Sequence, residues 1–566
     1  MQSAGPKQRL PPVTPWRLFC TLRGLGAADL NRDLMAGLTL AAIAIPEQMA
    51  TARLGGFAPQ IGFFAFMAGT LAFAAFGSSR FVSVGADSTI TPIFAGSLAL
   101  LATAGSPSYA GVAAALALMV GAILITAGIV RLGWIADLLS RPVITGFLAG
   151  ISIHIVLSQL PIVLGLPAPG GSVYERFAAL APHLHETNPL ALLLGLGVAA
   201  FTFACERWSP RLPGALIALV AATVAVAAFG LEQSGITVLG HVPAGLPRFA
   251  LVSVDHDQVY ALIPLAIVIS LVVMMQTAAT TRSFPAAGEP QDVDRDFVGV
   301  GVGSVLAGLF GALPVNASPP RTAIVAEIGA RSQVAGLTAV VILLALASFG
   351  TGLLQHVPDA ALAGMLLFVA QRIFRFQAFK EIYRRAPFEF ALILATMTAI
   401  VLLPIQTGVV TGVFLSLLHG VYITTRAVPL ELERVPGTTI WWPPHGPVPG
   451  EKEEGVLVMA FQAPLSFLNA YDFRRGIEHA MARHAGAVRL MVLEAGSIVA
   501  IDYTAADVLA EVIRSCRAQD TDFAVSRLES IRAQEAFQSF GLFDLLGADH
   551  IFHSVEEAIR KLGAKT

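Results

Sequence analysis

Apolar runs long enough to cross a bilayer fill the first three-quarters of the chain and then stop. A spanning helix needs about 20 mainly apolar residues. Segments of that character lie near residues 33–50, 61–77, 86–102, 110–131, 142–165, 189–205, 213–230, 258–280, 297–312, 319–330, 334–355, 360–374, 387–403 and 406–425. They predict a polytopic α-helical membrane protein of 14 transmembrane segments, several too short or interrupted to be plain spans. Residues 455–566 read differently. Strand-like 456–459, amphipathic 470–484, strand-like 488–493, helix-like 504–517, strand-like 522–526 and helix-like 531–546 follow one another. This alternation predicts a small α/β domain. The expected organisation is a cytoplasmic segment (1–32), a transport domain (33–426, repeats about 33–205 and 212–426), a linker (427–454) and a soluble domain (455–566).

Two segments break the pattern in corresponding places, the third of each group of seven. Residues 80–90 and 311–322 each carry a short β-like stretch, then Gly or Pro, then hydroxyl residues opening a helix too short to cross. Irregular backbone at membrane depth is tolerated where it lines a cavity or is buried in protein. Paired interruptions in two halves point to an inverted repeat with its site at the midplane.

Composition sharpens the division. The 566 residues are 55% apolar and only 13% charged, against about 25% charged in soluble domains. Of the 36 basic and 38 acidic residues, 29 fall in residues 451–566, about a fifth of the length. A net charge of −2 gives no reason to expect a nucleic-acid partner. Cys20, Cys205 and Cys516 match no metal spacing, and no motif implies a cofactor or an enzyme nucleophile. The N-terminal residues mix Pro, Arg and polar residues and do not read as a signal peptide.

Basic residues orient the chain. Lys7, Arg9, Arg17, Arg23 and Arg32 precede the first apolar run and predict a cytoplasmic N-terminus. With that start, Arg80, Arg131, Arg141, Arg207, Arg211, Arg282, Arg295, Arg331 and Arg426 fall in cytoplasmic loops. So does the cluster Arg372, Arg375, Lys380, Arg384 and Arg385, whereas only Arg53, Arg176 and Arg248 fall opposite.

The interrupted segments carry the candidate chemistry. In Ser318-Pro319-Pro320-Arg321-Thr322, Ser is a favoured N-cap and Pro a favoured first-turn residue. A helix starting there aims free N–H groups and its positive dipole end inward, which suits an anion. Arg321 adds a full charge where insertion scales charge about 2.5–3.5 kcal/mol; the bland reading is a snorkelling interfacial arginine. The partner turn, Gly85 to Thr89, offers Ser88 and Thr89 as donors. Asp87 there is an ordinary first-turn acid, a proton carrier or a cation ligand. Glu47 follows the helix-bending Pro46 in the first span and is a functional candidate by default. Its plain alternative is a pair with Arg53 or another nearby base. His154 reads as a packing residue.

Together these features resemble the SulP family of sulfate permease-type anion transporters. The similar stretches are Gly37-Leu38-Thr39, Ile45 to Ala50, Val84 to Asp87, Leu212-Pro213-Gly214 and Pro243 to Pro247. They continue through Asn316 to Thr322, Gly329 to Gln333, and Val357 to Leu362. The resemblance implies a 7+7 inverted repeat in which a core domain moves against a gate domain. An anion would sit between the third and tenth helix N-termini, near the first and eighth helices. By carry-over, Ser88, Thr89, Gln276, Ser318, Pro320 and Arg321 are implied substrate-binding residues, with Glu47 and Asp87 for coupling. The family often has Gln at the position of Glu47 and an acid at that of Gln276. This departure disfavours sodium coupling and points to an anion:proton symporter working through Glu47 or Asp87, or to an anion exchanger, for sulfate, bicarbonate, chloride or a dicarboxylate. The tail resembles a STAS domain at Pro464 to Phe467 and Ile501 to Ala506. Thr504 with Asp507 reads as a capping box for the helix that follows. A homodimer in the inner (plasma) membrane, both termini cytoplasmic, with a cytoplasmic regulator acting on the STAS domain, completes the expectation. The rival readings are a nucleobase permease-like carrier, disfavoured by Gln276 and the Ser-Pro-Pro-Arg turn, and a membrane sensor or tether working through its tail.

Overall fold

Proline writes the helix starts in the membrane part. Pro59, Pro107, Pro189, Pro319 and Pro387 open their helices, where the missing N–H leaves nothing unpaired. A computed structural model of the chain describes residues 18–22, 26–134, 140–166, 180–208, 213–240, 255–285, 291–444, 450–484 and 488–563, with isolated positions between. Lys7, Arg9, Arg17, Arg23, Arg176, Arg211, Leu212, Pro243, Ala244, Leu246, Pro247 and Arg248 lie outside the described residues. Two compact units, residues 1–416 and 417–566, divide the chain.

The first unit is helical. In chain order the helices are α1 (Ala27–Leu54), α2 (Pro59–Phe76), α3 (Thr91–Leu101), α4 (Pro107–Val130), α5 (Arg141–Val163), α6 (Pro189–Trp208) and α7 (Gly214–Phe229). The second series is α8 (His256–Ser283), α9 (Val293–Leu309), α10 (Pro319–Ile328), α11 (Val334–Phe349), α12 (Asp359–Ile373), α13 (Phe376–Arg385), α14 (Pro387–Leu402) and α15 (Ile405–Thr425). The boundary between the units falls within α15. Each of the fourteen apolar segments falls on a helix, and α13 is an additional amphipathic one. Among the described residues, seven helical segments are long and apolar enough to cross a membrane by themselves; others, α3 and α7 among them, are shorter. Length alone therefore does not reach the count of fourteen.

Packing follows the repeat. α1 packs on α11 as its counterpart α8 packs on α4, and α2 and α9 pack on each other. A second group joins α5 to α14 and α12 to α6. Small residues set a close seam between α4 and α9. A Cβ on Gly301 would meet the Gly121 carbonyl oxygen at 2.9 Å, and one on Gly121 would meet that of Gly301 at 2.6 Å. Backbones that close leave no room for a side chain.

Two helices stop short. Strand β1 (Val84–Gly85) precedes α3, strand β2 (Asn316–Ala317) precedes α10, and the two pair antiparallel with Val84 opposite Ala317 and Gly85 opposite Asn316. Ser318 N donates to Ser83 O at 2.9 Å, extending the ladder by one bond. This two-residue ribbon satisfies backbone groups that hydrocarbon would leave unpaired.

The second unit holds a five-stranded sheet of order β3-β6-β7-β8-β9. Its strands are β3 (Leu430–Glu431), β6 (Val456–Ala460), β7 (Leu490–Glu494), β8 (Asp522–Ser526) and β9 (Ile551–Phe552); β3 is antiparallel to β6 and the rest run parallel. The hairpin β4 (Glu433–Arg434) and β5 (Trp441–Trp442) stands beside it. Met459, Met491, Leu493, Phe523 and Val525 face one apolar layer with α16 (Ala470–Arg483), α17 (Tyr503–Ala518) and α18 (Ile531–Ser539). Val458, Leu490, Val492 and Ala524 face the other with α20 (Val555–Leu562). Two details differ from expectation. The 531–546 stretch is two helices, because Gly541 at φ 70° separates α18 from α19 (Leu542–Leu546). The cap of α17 is Asp502, not Thr504, since its Oδ1 accepts from Ala505 N at 2.9 Å.

Candidate functional site

Around β1 and β2 lies a dense set of buried polar side chains. Pro46 lies inside α1, and the next residue, Glu47, turns its carboxylate to the tenth helix. Arg321 Nη1 donates to Glu47 Oε1 at 2.7 Å. Arg321 is fully buried and further reaches Ser83 Oγ at 3.3 Å and Ala86 O at 3.4 Å. Its guanidinium stands over the Phe66 ring, 5.9 Å from the centroid, while Nη2 has no hydrogen-bond partner among the described residues. Arg53 is engaged elsewhere, with Asp359 at 2.7 Å. The basic partner of Glu47 is thus Arg321, 274 positions away.

The partner turn is organised by Asp87. Its Oδ1 accepts from Thr89 N at 2.9 Å and from the Thr89 hydroxyl, and its carbonyl accepts from Thr91 N at 3.1 Å. That is the geometry of a helix cap. The first residue of α3 is Thr91, so Ser88 and Thr89 form the turn leading into it. Gln276 Oε1, on α8, accepts from Thr89 Oγ1 and from Asn316 Nδ2, each at 2.8 Å. One amide oxygen therefore ties α8 to both half-helix entries. Ser318 sits at the N-cap position of α10, yet its hydroxyl makes no capping bond and is buried without a hydrogen-bond partner among the described residues.

A cavity of about 1130 Å³ reaches this cluster. Glu47, Asp87, Ser88, Thr89, Gln276, Ser318 and Pro320 line it; Arg321 does not, standing behind Glu47. The wall continues past Ile144, Phe147, Met365 and Phe368 to Arg141, Arg282, Arg372, Arg375 and Arg385, with Glu381 and Glu389 among them. The five arginines exceed the four carboxylates of the wall, Glu47, Asp87, Glu381 and Glu389, by one, with Arg372 paired to Glu206 at 3.3 Å and Arg385 to Glu381 at 3.2 Å.

Gln48, Ser83 and Asn316 were not singled out by their chemistry in the sequence, although all three stand within or beside the interrupted segments. Gln48 Nε2 donates to Ala86 O and its Oε1 accepts from Ala86 N, both at 2.9 Å. The arginines of the cavity wall were legible only as cytoplasmic loop charge.

Two half-helices facing one another across an arginine-lined cavity, inside a bundle of apolar helices in inverted repeat, define a membrane transporter for anions. The family profile described as the sulfate permease family matches residues 30–396, and that of the STAS domain matches residues 449–558. The chain belongs to the sulfate permease family and carries a STAS domain. A protein named a probable sulfate transporter from Mycobacterium tuberculosis is 34% identical over 532 residues, covering 94% of this chain and 95% of its own length. Sulfate transporter 4.1 of Arabidopsis thaliana is 26% identical, covering 93% of this chain and 79% of its own. The fold is shared with solute carrier SLC26A9, at a TM-score of 0.88 and 19% identity over 97% of this chain and 92% of that one. The transmembrane domain of a cyanobacterial bicarbonate transporter superposes at 0.60 and 24% identity, over 70% of this chain and 98% of its own. The protein is a multi-pass membrane anion transporter and not an enzyme.

Proposed function

We propose that the chain is a secondary active transporter that carries one small inorganic anion or dicarboxylate by alternating access. Candidates are sulfate, bicarbonate, chloride and dicarboxylate, with sulfate first because relatives of this chain are named for it. The observation that carries the reading is the cavity that ends on two facing half-helix starts, lined by Ser88, Thr89, Gln276, Ser318 and Pro320. Backbone N–H groups and hydroxyls there bind the anion, and Arg321 supplies charge from behind.

Coupling follows from the Glu47–Arg321 pair. While Glu47 is ionised it neutralises Arg321, and the site holds little net positive charge. When Glu47 takes a proton, the Arg321 charge becomes available to an anion. Proton and anion then bind in support of one another, which is the condition for symport; Asp87 is the second carboxylate in the same wall. Without such loading the same site supports anion exchange. The transport domain is assigned to residues 33–426, the linker to 427–454 and the STAS domain to 455–566, a regulatory module open to a cytoplasmic regulator. The protein works as a homodimer in the inner (plasma) membrane with both termini in the cytoplasm.

The test is uptake of labelled sulfate, bicarbonate, chloride and a dicarboxylate into proteoliposomes at several inward proton gradients. Saturable uptake of at least one anion that rises with the gradient is expected. Absence of uptake of every anion refutes the transporter assignment, and uptake indifferent to pH refutes proton coupling.

A further inference from the structure

Gln48 is fully buried beside Glu47, and both ends of its amide meet the backbone of one residue of another segment, the N–H and the C=O of Ala86. Oε1 accepts from Ala86 N and Nε2 donates to Ala86 O, each at 2.9 Å. The pair closes a ring. Glu47 binds Arg321 at 2.7 Å, Arg321 Nη1 reaches Ala86 O at 3.4 Å, and Ala86 O is held by Gln48, the chain neighbour of Glu47. We propose that Gln48 is a positioning residue that keeps the Ala86 carbonyl from capturing Arg321 when Glu47 is protonated. The inference rests on the coupling described above.

The reasoning is a competition for one cation. Among the described residues Arg321 has three oxygen partners, Glu47, Ser83 and Ala86, and a buried Nη2 with none. Protonation of Glu47 weakens the charged partner. A buried guanidinium then seeks the nearest acceptor, because an unsatisfied buried charge is costly. Ala86 O already lies at the edge of its reach, two residues before the turn of Ser88 and Thr89. If that peptide tipped towards Arg321, the freed charge would be spent within the protein and the α3 entry would rotate. Gln48 prevents this by holding both the C=O and the N–H of Ala86, fixing the two peptide units that flank it, so the charge remains for the anion. A hydrophobic residue of similar length would fill the space without holding the peptide. The other charged groups facing Glu47 are Asp87, before α3, and Arg372, on α12; neither reaches Ala86 in a hydrogen bond.

The experiment compares wild type, Gln48→Met, Gln48→Glu, Glu47→Gln and the Gln48→Met/Glu47→Gln double variant, each purified as the full chain and shown monodisperse. Labelled sulfate uptake is measured from pH 5 to 8. Gln48→Met is expected to raise the sulfate KM about tenfold at low pH, the effect of losing one strong site interaction, and to flatten its pH dependence. Gln48→Glu keeps the acceptor for Ala86 N and is expected to recover part of the affinity at low pH, where its acid is protonated and again donates. The double variant is expected to match Gln48→Met within twofold, because both changes act on the same Arg321 charge. Unchanged KM in Gln48→Met, or a double variant in which the two effects multiply, overturns the proposal. Amide exchange over residues 84–90 gives a readout that needs no transport. Protection of Ala86 at every pH in wild type and its loss in Gln48→Met is expected, and equal exchange in the two overturns the proposal even if sulfate proves not to be carried. A wild type that takes up no sulfate yet shows this exchange pattern counts against the substrate assignment alone.

Discussion

At the scale of single residues, the site is governed by one buried ion pair and the groups that share it. Arg321→Ala removes the charge that faces the half-helix starts and leaves Glu47 buried without its base. A hydrogen bond to a charged group is worth about 1.5–3 kcal/mol, so anion affinity is expected to fall about 10–100-fold, read as sulfate binding by the purified chain. Binding at wild-type affinity would place the anion elsewhere. Glu47→Gln has a different expected outcome. The neutral amide still accepts from Arg321 and imitates the protonated acid, so uptake should persist and lose its dependence on the proton gradient. An unchanged pH profile would move the proton to Asp87. The sequence exposed the members of this pair but not their pairing. Both are charges at membrane depth and visible as such, yet 274 positions separate them, and nothing in spacing says which base a buried acid meets.

At the scale of elements, punctuation was the legible signal and contact was not. The interrupted helices were readable from Gly, Pro and hydroxyl residues at 80–90 and 311–322, because those residues stop a helix whatever surrounds them. The start of α3 at Thr91 was less so: its N-cap position is Ile90, and Asp87 organises the turn ahead of it through its carboxylate and carbonyl, a choice among acid, Ser and Thr that tertiary neighbours make. In the C-terminal unit the buried strands were legible as apolar runs, whereas the edge strands β3 and β9, two residues each, carry too little pattern. Seams between helices yield a direct test. Gly301 on α9 faces the Gly121 carbonyl on α4, and a larger side chain must push the two backbones apart, at about 1–3 kcal/mol for overpacking. Gly301→Val is expected to lower the melting temperature and broaden the size-exclusion peak, with Gly301→Ala in between. A variant as stable as wild type would show that the α4–α9 contact is looser than described. Glu494, at the end of β7, supplies a second. Burial raises its pKa above the usual carboxylate range, against the lowering effect of Arg527 at 3.3 Å. The folded state then holds the proton more tightly than the unfolded one. Stability contributed by this group is lost as pH rises from the ordinary carboxylate value through the raised one. Glu494→Gln should therefore melt higher than wild type at pH 7 and at the same temperature near pH 4. A lower melting point at pH 7 would mean that the Arg527 pair outweighs the burial.

At the scale of the whole molecule, the cavity makes the transport cycle a question of access. Its wall draws on two groups of helices: α1 and α8, which hold Glu47 and Gln276, and α5 and α12, which supply Phe147 and Phe368. A wall shared by two packed groups changes its opening when one group rocks against the other, and a cavity within one group would not. Arg141, Arg372, Arg375 and Arg385, expected on the cytoplasmic side, line the same cavity, and under the proposed alternating-access cycle theirs is the face from which solute enters. Ala279, an exposed cavity residue of α8 one turn from Gln276, reports on this directly. In a chain whose Cys20, Cys205 and Cys516 are replaced by serine or alanine, Ala279→Cys should react with a membrane-impermeant maleimide from the arginine-bearing face. Saturating transported anion should slow that reaction by shifting the population or covering the site, while Leu100→Cys, exposed on α3 away from the cavity, should be indifferent to the anion. Labelling of Ala279→Cys at equal rates from both faces would describe a continuous pore, and the alternating-access reading would give way to a channel. One-sided labelling without protection would leave the access intact and remove the anion from this cavity.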